Sequence, residues 1–261
     1  MEFQKYTGLG NDFIITDKNI SEDKVIKLCN RRFGIGADGL IIAEKKNDKF
    51  FMKFYNSDGS RAKMCGNGIR CYTQYLVENK LVIDNGSLEI DTLAGIKKVE
   101  YSKVDGNFNV KVNMGKAIDL SLNNILMIDE VEFVYHYVFT GTIHIVIYVN
   151  ERELTKEFVT KFGKLIQEDK NRFPDSINVN FVSVIDKKSI KVMTYERGAG
   201  LTLACGTGSV AAAYISNILK LTDEKINVEL LGGKLFIEKI NDDLYMTGLS
   251  EYIFKGSVNN D

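Results

Sequence analysis

Residues 64–70 read MCGNGIR and residues 204–210 read ACGTGSV. In both, a cysteine stands before Gly-x-Gly where helical apolar spacing begins, in CYTQYLVENK (71–80) and AAAYISNILK (211–220). Setting Cys65 over Cys205 also sets Tyr55 over Tyr195. With a two-residue adjustment, Ile90, Gly95, Val99 and Glu100 fall over Val228, Gly233, Ile237 and Glu238. Gly115 of VNMG falls over Gly248 of YMTG, and GNDFII (10–15) falls over GTIHIV (141–146). Matches that keep the same order through both halves mark a duplicated unit.

Each half reads as strands, then Cys-Gly-x-Gly opening a helix, then alternating strands joined at turns such as VDGN and INDD. The expected fold is α+β: two pseudo-symmetric domains, 1–117 and 118–248, each a mostly antiparallel sheet or barrel around one central helix. The polar stretch 116–130, unmatched in the other half, is the expected linker. The site is expected in the cleft between the domains.

Composition narrows the partner. A net charge of −1 and a pI near 6.2 create no field that would gather nucleic acid or an anionic membrane. The N-terminus shows no charged-then-apolar leader, and the apolar run at 138–149 falls short of the roughly 20 residues of a spanning helix. The expectation is a cytoplasmic protein with a small-molecule partner. Reduced thiols and the absence of a C-x-x-C rhythm argue against disulfides and against a metal site among Cys29, Cys65, Cys71 and Cys205.

A helix start carries unpaired N–H groups and a partial positive charge, and glycines let a ligand approach the backbone. Such an end suits a carboxylate, and it is expected to lower the pKa of an adjacent thiol from about 8.5. Two thiols flanking one carboxylate-bearing carbon suit inversion: one removes the α-proton as thiolate, the other returns a proton from the opposite face. That scheme requires no cofactor. GLGND at 8–12 is not a dinucleotide fingerprint, because Phe13 occupies its third glycine position.

The chain resembles the diaminopimelate epimerase family in KYTGLGNDF (5–13), FGIGADGLI (33–41), FYNSDGSRAKMCGNGIRC (54–71), VNMG (112–115), YERGAGLTLACGTG (195–208) and LLGGKLFIE (230–238). The resemblance implies a cofactor-independent isomerase with Cys65 and Cys205 as acid and base. It implies that Gly66, Asn67, Gly206 and Thr207 cradle the reacting carboxylate, and that Asn11, Asn56, Asn178, Glu196 and Arg197 bind the amine and distal end. Glu196 and His144 would tune the cysteines. It further implies a homodimer, and a return of 249–261 to the first domain as a closing strand. From the residues alone, Asn11 and Asn56 also read as turn residues, and Glu196 and Arg197 as a solvated pair.

One position departs from the pattern. The family's Asn-Pro-His is here Thr142-Ile143-His144, and Thr142 also overlies Asn11 in the repeat. Threonine offers one hydroxyl where asparagine offers two donors and two acceptor sites. The alternatives are therefore the same two-thiol chemistry on another amino acid, such as histidine or lanthionine, or a non-enzyme that uses the thiols for redox sensing or amino-acid binding.

Overall fold

A computed structural model describes residues 1–259 of the chain. The chain divides into two units, Met1–Val112 with the segment from Thr247 onward, and Asn113–Met246. In chain order the elements are β1 (Glu2–Gly8), β2 (Asn11–Thr16), α1 (Glu22–Cys29), β3 (Gly39–Lys46), β4 (Lys49–Asn56), α2 (Gly66–Glu78), β5 (Gly86–Thr92), β6 (Gly95–Val104) and β7 (Asn107–Gly115). They continue as β8 (Ile118–Ile128), β9 (Val131–Phe139), β10 (Ile143–Tyr148), α3 (Lys156–Glu168), β11 (Asn178–Asp186), β12 (Ser189–Glu196), β13 (Gly200–Leu201), α4 (Gly206–Ile218), β14 (Lys225–Leu230), β15 (Gly233–Ile240) and β16 (Asp243–Ser257).

In the first unit, consecutive strands pair antiparallel wherever a short turn joins them. Leu9-Gly10 and Asp105-Gly106 both carry positive φ at two successive residues, which matches the twist of a two-residue hairpin. Where α1 or α2 intervenes, β2 with β3 and β4 with β5, the pair is parallel, as a helical crossover requires. β16 pairs with both β7 and β1, so eight strands close around α2. Residues 66–76 of α2 are all buried, and Arg70 and Gln74 reach β16 through Leu249 O and Ser250 Oγ.

The second unit repeats the scheme. β9–β10, β11–β12 and β14–β15 are antiparallel, while β10–β11 and β12–β14 are parallel across α3 and α4. α4 is mostly small and apolar and largely buried, and its Ala211-Ala212-Ala213 lets strands approach closely. α3 is amphipathic and lays Val159, Phe162 and Ile166 onto β11 and β12, with Thr155 capping its start by accepting the Phe158 N–H at 3.2 Å.

As expected, the sheet is mostly antiparallel and one helix in each unit, α2 or α4, is buried within it; α1 and α3 are further helices, and β2–β3, β4–β5, β10–β11 and β12–β14 pair parallel. One expectation needs correction. The stretch 116–130 is not a linker: 118–128 is β8, a strand paired with β9 and kinked where Asp119 and Asn123 take positive φ. Its polar residues face outward while Leu126 is buried, so its composition misled. The closing strand ends at Ser257, and positions 260–261 of the expected 249–261 lie outside the described residues. Among the described residues, no helix is long and apolar enough to cross a membrane.

Candidate active site

Each unit contributes one cysteine-capped helix start, and each is built in the same way. Cys65 is the N-cap of α2, with extended backbone, and its Sγ accepts the Gly68 N–H at 3.4 Å. Cys205 is the N-cap of α4, again extended, and accepts the Gly208 N–H at 3.4 Å. A thiol in the place of serine or aspartate takes up one of the orphan amides of the first turn. The helix starts at Gly66-Asn67 and Gly206-Thr207 are of the kind that suits an anion.

Around Cys65 the neighbours come from the β1–β2 hairpin. The Cys65 thiol points at Asn11 Oδ1, 3.8 Å away, and Asn67 Nδ2 donates to the same oxygen at 3.3 Å. Asn11 is turned that way by Asp38, whose carboxylate accepts from Asn11 Nδ2 at 2.7 Å. Asp38 is held in turn by Arg31, which also grips Asp12 through two hydrogen bonds of 2.6 and 3.0 Å. Lys5 completes the network at 2.8 Å from Asp12. Burial opposes ionisation of Asp12, but Arg31 and Lys5 outweigh it and hold the carboxyl at about 2. Asn56 bonds within its own turn, donating from Nδ2 to Ser60 Oγ at 3.0 Å.

Around Cys205 the neighbours differ. Thr207 Oγ1 lies 3.6 Å from Sγ, and His144 Nε2 lies 3.0 Å from the same hydroxyl. His144 is fully buried on β10, and burial, then the nearby Arg197 charge, push its pKa down to about 3, so it is neutral. Glu196, at the end of β12, accepts from Thr202 Oγ1 at 2.5 Å and stands against the thiol. Burial and then the Glu196 charge drive the Cys205 pKa well above its usual value, outweighing the Thr207 and Gly208 hydrogen bonds. The expected lowering by the helix start is therefore corrected at Cys205: in the free site this cysteine is a thiol.

Asn178 is spent on scaffolding. Its Nδ2 donates to Ile143 O at 2.8 Å and its Oδ1 accepts the Arg197 N–H at 3.0 Å, which ties the first residue of β10 to the residue that follows β12. Arg197 itself is exposed, with Nη1 donating to Asp175 O. Thr142 is half-buried, and its carbonyl closes the turn onto the Thr140 N–H.

Sequence reasoning passed over Asp38, Asn180, Thr194 and Thr202. Asn180 left a signal: asparagine is disfavoured in strands, yet INVNF places Asn178 and Asn180 two apart, on one face of a buried strand. Gly208 is explained by the same residue, since a Cβ there would lie 2.2 Å from Asn180 Oδ1.

The sequence profile described as Diaminopimelate epimerase matches residues 3–119 and 136–253. The chain belongs to the diaminopimelate epimerase family. The unmatched residues 120–135 fall in the β8–β9 hairpin. The chain is 42% identical over 279 residues to the diaminopimelate epimerase of Carboxydothermus hydrogenoformans, with 98% of each chain covered. It is 40% identical over 285 residues to that of Prochlorococcus marinus, again with 98% of each covered. A phenazine biosynthesis protein of the PhzF family from Bacillus anthracis shares the fold, with a TM-score of 0.77 at 15% identity over 100% of this chain and 99% of that one. Within the diaminopimelate epimerase family, the protein is an isomerase of the epimerase and racemase class.

Proposed function

We propose that the protein is a pyridoxal-independent amino-acid epimerase of the cytoplasm that interconverts LL- and meso-diaminopimelate. The supporting observation is the duplicated device: Cys65 and Cys205, each capping the start of a helix, where the partial positive charge and the first-turn amides suit a carboxylate. One cysteine, as thiolate, takes the α-proton and becomes a thiol. The other, a thiol, gives its proton to the opposite face of the carbanion and becomes the thiolate. The proton count is unchanged and the two roles are exchanged at the end of each turnover. Carbanion charge spreads into the carboxylate, where amides fixed in advance stabilise it as it develops. The protein acts as a homodimer in this reading, which sedimentation checks.

The experiment is α-deuterium incorporation in heavy water under a strong reductant, with LL-diaminopimelate, meso-diaminopimelate, meso-lanthionine and L-histidine offered separately. Rapid exchange and inversion of diaminopimelate, with histidine inert, is the expected result. No exchange with any of the four would sink the enzyme reading in favour of a binding or redox role.

Thr142-Ile143 favours a second reading, the same chemistry on another amino acid. If Thr142 costs the site a polar partner for diaminopimelate, Thr142→Asn should raise its kcat/KM about tenfold. An unchanged ratio among the four substrates would remove Thr142 as a determinant of specificity.

A further inference from the structure

Behind Cys205 lies a chain of buried polar groups whose hydrogen-bond directions are set by the groups themselves. Asn180 Nδ2 donates to Ile145 O at 2.8 Å, and a backbone carbonyl can only accept, so the amide's orientation is fixed. Thr194 Oγ1 locks the other end by donating to Asn180 Oδ1 at 2.9 Å. The second hydrogen on Asn180 Nδ2 then points at His144 Nδ1, 3.1 Å away. An N–H facing that nitrogen requires it to be bare, so the proton of the neutral imidazole sits on Nε2. Nε2–H is 3.0 Å from Thr207 Oγ1 and donates to it, leaving the threonine's own O–H to point elsewhere. Cys205 Sγ is 3.6 Å from that oxygen.

We propose that Asn180 and Thr194 are positioning residues that fix the tautomer of His144, and that the tautomer makes the Thr207 hydroxyl a donor to the Cys205 thiolate. Each bond polarises the next, and a hydroxyl that accepts from an imidazole N–H is a stronger donor in turn. The relay opposes burial and Glu196, both of which disfavour the charged sulfur. It thus brings the thiolate within reach for the half of the cycle in which Cys205 is the base, a step that rests on the two-thiol reading above. Because the strands supply it ready-made, no proton need cross the relay during turnover. In the first unit Asn67 and Phe13 overlie Thr207 and His144, and the Cys65 thiol faces the acceptor oxygen of Asn11.

The test combines two readouts that do not need turnover with one that does. In protein labelled with 15N-histidine, two-bond nitrogen–proton spectra report each tautomer. His136 and His144 are the only histidines, and a His136→Gln variant assigns the signals. The expected wild-type result is His144 protonated on Nε2 alone. Asn180→Asp presents an acceptor to Nδ1 and should reverse the tautomer. The thiolate-dependent alkylation of Cys205 should then fall at least about tenfold while that of Cys65 stays unchanged, with a matching fall in kcat and little change in KM.

Thr194→Val should move the same readouts without adding charge, and Thr194→Ser should preserve them; this pair also serves if Asn180→Asp does not fold. A wild-type His144 protonated on Nδ1 overturns the proposal. So does a reversed tautomer with unchanged Cys205 alkylation, or equal losses in the Thr194 valine and serine variants. Failure of the epimerase reading would show separately, as wild-type protein that exchanges no α-hydrogen yet still shows the tautomer and alkylation effects.

Discussion

The two helix starts share backbone, cap and first-turn geometry, yet their cysteines sit in opposite company. Cys65 is half-buried beside an amide oxygen, oriented by a charged network that runs from the exposed Arg31 and Asp38 through Asp12 to the buried Lys5. Cys205 is buried beside a carboxylate and a hydroxyl, backed by a histidine whose own partners lie in the sheet. Duplication supplied two copies of one anion-binding cap. Divergence of the neighbouring strands gave each sulfur different neighbours, and at Cys205 burial and Glu196 disfavour the thiolate.

The largest test asks whether both copies are needed. Cys65→Ser and Cys205→Ser should each lower epimerisation at least about 1000-fold, since a serine hydroxyl cannot replace a thiolate in proton transfer. Near wild-type turnover in either variant would break the pairing. A stability comparison comes next. Gly208→Ala places a Cβ 2.2 Å from Asn180 Oδ1, whereas at Gly68 the nearest atom to such a Cβ is that of Cys65, at 3.3 Å. Chemical denaturation should show a loss of about 1–3 kcal/mol at position 208 and under about 1 kcal/mol at position 68. Equal losses would mean that the second copy is no more tightly built than the first.

Glu196→Gln sharpens the electrostatic difference. Removing a negative charge beside Cys205 favours its thiolate, so the pH midpoint of Cys205 alkylation should move down by about one unit, with that of Cys65 unmoved. The smallest expected effect is in acid. His144 is held near 3 against 6.5 unfolded, so the unfolded chain binds that proton more readily, and the stability it contributes is lost as pH falls from about 6.5 towards 3. Asp12 is held near 2 against 3.8, so its contribution persists until pH falls below about 3.8. Hydrogen exchange followed downwards in pH should loosen the second unit before the first; the reverse order would contradict this assignment.

How much was legible beforehand follows from the range of the forces involved. The caps at Cys65 and Cys205 are local: a side chain, two glycines and the first turn are contiguous, so the motif carried them. Strand alternation and the VDGN turn are local too. α3 is less legible: Val159, Phe162 and Ile166 have helical spacing, but the crossover it makes is required only by the parallel pairing of β10 with β11, which the sequence does not display. β8 reads like a linker because Asp119, Ser121, Asn123 and Asn124 interrupt its apolar residues, and only its pairing with β9 makes it a strand.

The sequence by itself determined the duplication, the two cysteine caps and the family, because each is written in contiguous residues whose local chemistry needs no distant partner. Only the tertiary structure decided how the two cysteines differ. Asn180, Thr194, His144, Thr207 and Glu196 are spread over four elements and their adjoining turns, and hydrogen-bond direction and desolvation arise only when the sheet brings them together around Cys205.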